Sequence, residues 1–205
     1  MYKLPSFTEQ DQVKVINFIK QNSFAVITGM GMQYPVATHI PLEIFEEEGS
    51  LKFMGHLMKH TDHHQSFLKN ENVLVIFNGP HSYVSASWYA NPIVASTWNY
   101  MTVHAKGKIR FTNEAETYNA VKRITDKYEQ RGSPASFDKL PEEYVSKLVK
   151  AIVAFEITVE SIDNVFKLSQ NHDEETRISI ATHLSGMDKE GAKLIAKEIK
   201  DRLAK

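Results

Sequence analysis

The sequence predicts a mainly β protein with helices (α+β), in which an antiparallel β-barrel is followed by a helical appendage. Six or seven strand-like runs follow one another with few helices between them, which is typical of a closed or partly closed barrel. Beyond Ile162 the pattern changes to two helices joined by a glycine-containing turn. We therefore expect a barrel domain at residues 1–160 and a C-terminal helical extension at residues 161–205.

The first part of the chain is predicted to form one helix and then a strand meander. Thr8 and Asp11 make a weak capping pair for a helix at residues 8–22. The apolar stripe of this helix consists of Val13, Ile16, Phe18 and Ile19. Strand-like runs bounded by glycine-rich and acidic turns lie at residues 24–28, 36–45 and 51–56. Because their connections are short, we expect antiparallel pairing.

The remaining elements are read from apolar spacing and from glycine and proline positions. Helices are predicted at residues 59–70, 113–131, 142–150, 174–184 and 188–203. Between the first two of these, residues 72–112 contain three strand-like runs, separated by a Gly-Pro segment and an Ala-Asn-Pro segment. A nearly continuous apolar run predicts a central strand at residues 151–159.

Residues 72–104 hold both tryptophans and place aromatic rings among hydroxyl and amide side chains. The rings are those of Phe77, Tyr83, Trp88, Tyr89, Trp98 and Tyr100, and the polar side chains are those of Ser85, Ser87, Ser96, Thr97 and Asn99. Trp and Tyr can stack on a flat ligand while hydroxyls and amides bind its polar edge. The stretch therefore predicts a bed for a flat, polar-edged ligand, with an aromatic barrel core as the alternative. No catalytic residue is assigned, since neither Ser85 nor Ser87 lies in a nucleophile elbow.

Two smaller groups precede this stretch. Lys59 and Thr61 follow a strand at the start of a predicted helix, where an ammonium, a hydroxyl and free backbone amides suit a phosphate. An ordinary surface lysine is the alternative. If the helix begins at residue 59, His60 and His64 share one of its faces and could bind a divalent metal or haem. A solvent-exposed, histidine-rich helix is the alternative there.

Composition excludes several classes of site. The chain has no cysteine, which removes disulfides, thiolate zinc sites and cysteine nucleophiles, and fits a reducing cytosol. It shows no signal peptide and no apolar run of membrane-spanning length, so we expect a cytoplasmic protein. With 24 basic and 25 acidic residues, it shows no large general attraction to nucleic acid. The C-terminal helix pair could still form a DNA-reading helix-turn-helix, although acidic residues offset its lysines.

At these residues the sequence resembles the PaiB family, bacterial FMN-binding negative transcriptional regulators linked to protease synthesis and sporulation. The resemblance is carried by GHLMKHTDHH, VLVIFNGPHSYVSASWY, STWNYMTVHAKG, and FKLSQN followed by Arg177. These segments cover most of the chain in the order of the family. The resemblance implies a split β-barrel of the kind shared with pyridoxamine-phosphate oxidases and flavin reductases. It also implies a homodimer with FMN between the subunits, the helical extension packing on the barrel or on the dimer partner.

For the cofactor, the resemblance implies two sets of residues. The phosphate set is Lys59, His60 and Thr61, and the ring-facing set is His81, Ser85, Ser87, Trp88, Thr97, Trp98 and Asn99. The chain departs from the family pattern at the phosphate turn, where the family has Arg in place of Lys59 and Asn-Pro in place of Thr61-Asp62. Lys keeps the charge but lacks the bidentate fork of Arg, and Asp62 adds a negative charge. This departure predicts reduced or lost FMN affinity.

Two classes of function follow from these observations. The first is a PaiB-like repressor whose flavin state influences gene expression, with DNA as a possible partner. The second is a flavin-dependent oxidoreductase or flavin reductase, in which His81 or His104 would donate a proton near the flavin ring. Metal or haem binding through His60 and His64 is a third alternative.

Overall fold

The computed structural model describes residues 1–2, 4–47, 49–89, 91, 93–130 and 132–204. Within these residues the α-helices are α1 Gln12–Gln21, α2 Asp62–Lys69, α3 Glu114–Tyr128, α4 Glu142–Ala151, α5 Glu174–Ser185 and α6 Glu190–Leu203. The strands are β1 Phe24–Gly29, β2 Val36–Pro41, β3 Glu43–Glu47, β4 Ser50–Met58, β5 Asn72–Val84, β6 Thr97–Phe111 and β7 Ile152–Lys167. Short 3-10 turns lie at Pro5–Phe7, Ala86–Trp88 and Phe137–Lys139. None of the helices in these ranges is long and apolar enough to span a membrane.

The strands form one curled antiparallel sheet in the order β2-β1-β5-β6-β7-β4-β3. Strand β1 lies between β2 and β5, with Val26 opposite both His39 and Ile76. On the other side, β4 lies between β3 and β7, and Phe53 is opposite both Ile44 and Ile157. The predicted mainly β, antiparallel architecture with helices is therefore confirmed.

The chain divides into two compact units, each built from several segments. The first unit consists of Met1–Phe18, Asn78–Val103 and Asp163–Lys205. The second unit consists of Ile19–Phe77 and His104–Ile162. The three longest strands, β5, β6 and β7, each contribute residues to both units.

Each unit has its own apolar core. In the second unit the rings of Phe53 and Phe77 meet edge to face with centroids 5.2 Å apart, and both side chains are fully buried. In the first unit α5 and α6 pack together through Ile180, Leu184 and Ile195, which are also fully buried. Burying a side chain of this size contributes about 1.5–3 kcal/mol. These cores hold the strand ends and turns that carry the candidate site residues.

Several predicted boundaries were wrong. Helix α1 begins at Gln12 instead of residue 8, because the Asp11 carboxylate accepts the Val13 amide at 3.0 Å and caps the helix there. The strand predicted at residues 36–45 is split at Leu42, whose amide donates to the carbonyl of Ser23 at 2.9 Å. The strand predicted at residues 151–159 continues to Lys167.

Residues 72–104 contain two strands where three were predicted. Gly79 and Pro80 remain inside β5 instead of forming a turn, and the buried face of the strand changes from odd to even residues across them. The middle strand-like run is replaced by the 3-10 turn Ala86–Trp88, capped by the hydroxyl of Ser85. The ring-bearing side chains therefore belong to β5, β6 and the segment that joins them.

Candidate functional site

The ten predicted cofactor residues fall into two groups, one in each unit. Lys59, His60 and Thr61 belong to the second unit, where β4 leads into α2. The other seven belong to the first unit: His81, Ser85, Ser87, Trp88, Thr97, Trp98 and Asn99.

In the second unit, Lys59 is tied to the C-terminal end of α4. Its ammonium donates to the carbonyl of Lys150 at 3.1 Å, and its amide donates to the carbonyl of Ala151 at 2.9 Å. A cation at this position satisfies carbonyls that the helix leaves free and interacts favourably with the helix dipole. The ammonium has three N–H donors, so two remain after this bond. Lys59 can therefore hold α4 and still offer donors to an anion.

Thr61 is the N-cap of α2, and its hydroxyl is already engaged. The hydroxyl donates to the carbonyl of Met58 at 3.1 Å and accepts the amide of His64 at 3.3 Å. It also lies 2.9 Å from Nε2 of His63. A hydroxyl has one proton to donate, so Thr61 would have to break its hydrogen bond to the Met58 carbonyl before it could donate to a phosphate.

The predicted helical face of His60 and His64 was wrong. Helix α2 begins at Asp62, and His60 precedes it in a left-handed backbone conformation with φ of 66°. The His60 amide donates to Nδ1 of His64 at 3.1 Å, so this ring nitrogen already has a proton donor. Burial lowers the pKa of His64, and the nearby charges of His60, His63 and Lys59 lower it further. Among the described residues, no group of three or more His, Asp or Glu side chains is placed to hold a metal ion.

The first unit carries an exposed ring cluster, here named the aromatic face, made of His81, Tyr83 and Trp98. The ring of Trp98 lies 6.0 Å from each of the other two rings. Trp98 is 53% exposed and Tyr83 is 46% exposed. Alternation along the strands explains this, because Ser82 and Asn99 beside these residues point inward and are buried. The Trp98 plane is tilted by 41° to the His81 ring and by 72° to the Tyr83 ring, so a flat ligand can stack on one of these rings while its edge contacts the others.

The turn between β5 and β6 uses its candidate residues for packing and capping. The hydroxyls of Ser85 and Ser87 lie 2.9 Å apart, and Ser87 is exposed. The Trp88 ring stacks on the His183 ring of α5, with centroids 5.1 Å apart and planes 9° apart. The carbonyl of Trp88 accepts a bond of 2.7 Å from the hydroxyl of Ser179. Trp88 therefore fastens α5 to this turn.

Thr97 and Asn99 bind the segment that ends β7. The fully buried Asn99 amide donates to the Ser169 hydroxyl at 2.8 Å, and that hydroxyl lies 3.2 Å from the Asn99 oxygen. Ser169 has a φ of 61°, in the left-handed region. The ammonium of Lys167 donates to the hydroxyl of Thr97. Two sequence motifs, TWN and KLS, are thereby brought together.

Lys167 is a candidate that the residue-by-residue prediction missed. Its side chain is half-buried, burial lowers its pKa, and its ammonium lies 5.8 Å from the ring centroid of Phe7. Within the described residues it makes no ion pair, so its charge is not neutralised by a carboxylate. The FKLSQN motif was the sequence signal that could have pointed to Lys167, but only the structure places this lysine beside Thr97. His104, the other predicted proton donor, lies in the second unit.

Comparison with known proteins points to one family. The family model described as "Putative FMN-binding domain" matches residues 1–161. The chain is 34% identical over 206 residues to the Protease synthase and sporulation protein PAI 2 of Bacillus subtilis (strain 168), covering 100% of this chain and 99% of that protein.

Two solved structures share the fold at low identity. The flavocytochrome Anf3 from Azotobacter vinelandii matches with a TM-score of 0.61 and 14% identity, over 81% of this chain and 72% of that chain. The FAD and heme binding protein from Mycobacterium smegmatis matches with a TM-score of 0.56 and 12% identity, over 84% of this chain and 78% of that chain. Both likenesses concern the fold alone, and they confirm the predicted split barrel.

Proposed function

The chain belongs to the family of FMN-binding domains whose model matches residues 1–161, and on this premise we propose that it is an FMN-binding protein of the PAI 2 kind. The observation that carries the proposal is the aromatic face, where Tyr83 and Trp98 leave about half of their surfaces in water. Exposed rings that lie together are typical of a binding surface, and a flat ligand stacked on the Trp98 ring would bury part of that surface.

The side chains of the first unit fit the chemistry of FMN. His81 and Trp98 would contact the ring system, and Ser85 and Ser87 offer hydroxyls to polar atoms of the ligand. Thr97 and Lys167 offer a hydroxyl and an ammonium to an anionic group. When bound, FMN supplies electron and hydride transfer chemistry.

Trp88 and Asn99 would act by position. Trp88 stacks on His183 through the face of its ring, and the Asn99 amide is fully buried against Ser169. Asn99 would hold the Lys167 segment in place, and Trp88 would hold the turn that carries Ser85 and Ser87.

In the second unit, Lys59, His60 and Thr61 form the phosphate turn proposed from the sequence. Lys59 retains two N–H donors for a phosphate, whereas the Thr61 proton is committed to Met58. By capping the Lys150 carbonyl, the Lys59 ammonium uses only one of its three N–H donors. We therefore propose Lys59 as the anion-binding residue of this turn, with His60 and Thr61 as its structural neighbours.

An FMN titration of the full chain, followed by flavin fluorescence, tests the proposal. We expect saturable binding at micromolar FMN. Removing a stacked ring costs roughly 1–3 kcal/mol, so Trp98→Ala should weaken binding by about 5- to 150-fold. Tyr144→Ala is the matched control, because Tyr144 is 54% exposed, close to the 53% of Trp98, but lies on α4. No saturable binding, or equal binding by both variants, would contradict the proposal.

We further propose that the protein acts as a homodimeric cytoplasmic regulator of the PaiB type. The name of the Bacillus relative supports a link to protease synthesis and sporulation. Direct DNA reading by the C-terminal helices has less support, because their cations are partly engaged. Lys193 pairs with Asp188 at 3.6 Å, and Arg202 pairs with Glu9 at 2.6 Å. Sedimentation would test the dimer, and a gel shift at stated salt against unrelated DNA would test specific binding.

A flavin-dependent oxidoreductase is the second candidate function. It is favoured by His81, an exposed imidazole 6.0 Å from the Trp98 ring and therefore accessible to a ligand on the aromatic face. Oxidation of NADH or NADPH by the FMN-loaded protein, above the rate with free FMN, would support this function. Rates equal to free FMN with several acceptors would exclude it.

A further inference from the structure

His64, the third residue of α2, is a buried titratable group to which the proposed function gives no role. It is 7% exposed, and its ring meets the Phe111 ring of β6 edge to face, with centroids 4.9 Å apart. The amide of His60 donates to its Nδ1 at 3.1 Å. All three residues belong to the second unit. His64 is therefore held on one side by the sheet and on the other by the turn that precedes α2.

The hydrogen bond from His60 determines the protonation state of the His64 ring. A backbone amide can only donate, so Nδ1 must accept and carries no proton. A neutral imidazole has a single N–H, which then lies on Nε2. The contact therefore requires the neutral form of His64 with its proton on Nε2.

The protonated ring cannot keep this contact. An imidazolium donates from both nitrogens, so its Nδ1–H would face the N–H of His60 and the hydrogen bond would be lost. Burial lowers the pKa of His64, and the nearby charges of His60, His63 and Lys59 lower it further. The fold therefore selects neutral His64 at neutral pH, and protonation below about pH 6.5 acts against the observed turn.

The backbone of the turn depends on the same hydrogen bond. His60 has a φ of 66°, in the left-handed region that is unfavourable for a residue with a Cβ. Such a conformation persists only while the surrounding contacts hold it. Within the described residues, Nδ1 of His64 is the acceptor that holds the His60 amide. Once His64 is protonated, residues 59–61 lose this contact and can rearrange.

The charges around His64 favour an anion near the protonated turn. Although α2 packs on β1 and β2, the charges that act on His64 within the described residues belong to Lys59, His60 and His63. The one carboxylate in this segment, Asp62, accepts the His63 amide at 2.7 Å and lies 3.1 Å from its Nδ1. Protonation of His64 adds a positive charge near Lys59 and leaves two N–H donors, one on each partner of the broken bond, without an acceptor. An oxyanion supplies both the charge and the acceptors.

We propose that residues 59–61 form a proton-linked anion switch, in which proton uptake by His64 opens the turn and favours an oxyanion near Lys59. In the neutral state the His60 amide stays on His64. By linkage, the oxyanion and the proton each raise the affinity of the chain for the other. The inference rests on the phosphate turn of the proposed function, to which it adds pH as the regulator and His64 as the sensing residue.

NMR spectra of the full, flavin-free chain, recorded between about pH 8 and about pH 5, test the switch by following each histidine ring separately. At high pH we expect the proton of the His64 ring on Nε2. As His64 titrates, the His60 amide signal should shift with the same midpoint, while the amide of Phe53 in β4 stays unchanged. A proton on Nδ1 at high pH, or a His60 signal that ignores the titration of His64, would overturn the switch. Loss of all native signals at that midpoint would also overturn it, because the opening would then be global.

Sulfate is the probe for the oxyanion, because it keeps its charge over this pH range, and chloride at equal ionic strength is the control. Sulfate should move the titration midpoint of His64 to higher pH. Lys59→Met should remove this effect but keep the coupling between His64 and the His60 amide. An unchanged midpoint in sulfate would refute the linkage even if FMN binds. Failure of the FMN titration, with the midpoint still moved by sulfate, would contradict the FMN assignment alone.

His64→Gln separates the proton from the hydrogen bond. The oxygen of the Gln side chain can still accept the His60 amide, but it does not titrate. The pH dependence of the His60 signal should therefore disappear in His64→Gln, and its persistence would refute the proposal. It should remain in the control His39→Gln, since His39 is an exposed histidine of β2 in the same unit. If His64→Gln does not fold, the titration of the unmodified chain decides the question.

Discussion

The hydrogen bonds between Asn99 and Ser169 are expected to hold the segment that contains Lys167, and variants of the two residues can test this. Asn99 is fully buried, and Ser169 is its hydrogen-bond partner at 2.8 Å and 3.2 Å. In Ser169→Ala the amide loses both of these bonds and stays buried, which costs about 1–3 kcal/mol. In a chain of this size, each kcal/mol lowers the Tm by about 2–4 °C.

The left-handed backbone of Ser169 allows a second variant to separate two effects. A residue with a Cβ pays roughly 1–2 kcal/mol in this region of φ, and glycine does not. With φ at 61°, Ser169→Gly loses the same hydroxyl but removes that strain. We therefore expect Ser169→Gly to be about 1 kcal/mol more stable than Ser169→Ala.

Urea unfolding of the single and double variants measures the contact itself. If Asn99→Ala and Ser169→Ala remove one shared interaction, their free-energy changes should be non-additive by roughly 1–2 kcal/mol. Additive changes would show that the pair is not coupled. Equal stability of Ser169→Gly and Ser169→Ala would contradict the backbone argument. Only additive changes would remove the physical reason for assigning Asn99 a positioning role.

Three further predictions concern titratable groups. Burial lowers the pKa of His64, so below about pH 6.5 the unfolded chain binds a proton that the folded chain does not, and the free energy of unfolding falls as the pH is lowered. In urea unfolding at several pH values, His64→Gln should make this fall smaller. The contribution of His56, whose pKa is also lowered by burial, should remain. Burial also lowers the pKa of Lys167, which means that its charged form is disfavoured in the fold; Lys167→Met should raise stability at neutral pH while weakening FMN binding. Lys59→Met removes the cation from the end of α4 and should lower stability by about 0.3–1 kcal/mol, with Lys147→Met on the exposed face of α4 as control.

Elements governed by local chemistry could be predicted from the sequence. Helix α4 was predicted at residues 142–150 and is observed at Glu142–Ala151, because Pro141 precludes an earlier start and the apolar spacing is regular. The start of α5 at Glu174 follows in the same way from Asp173, whose carboxylate accepts the Thr176 amide at 2.8 Å.

Other features depend on residues that are far apart in the chain. Gly79 and Pro80 were predicted to turn, but β5 continues through them, and a side chain on Gly79 would collide with the Phe18 ring. Trp88 was assigned to a ligand, but it stacks on His183, which lies on α5. Lys167 acquires its partner Thr97 across 70 residues. No local pattern encodes these pairings, since each is fixed by tertiary packing.

The two groups of predicted site residues therefore differ in what they reveal. Lys59 and Thr61 cap helices, and a sequence could keep them for stability alone. Folding offers no comparable reason to expose Tyr83 and Trp98 side by side, because burying each ring would stabilise the chain by about 1.5–3 kcal/mol. A surface that forgoes this stabilisation is better explained by a partner that covers it. The aromatic face is for that reason stronger support for a flat ligand than the phosphate turn is for its phosphate.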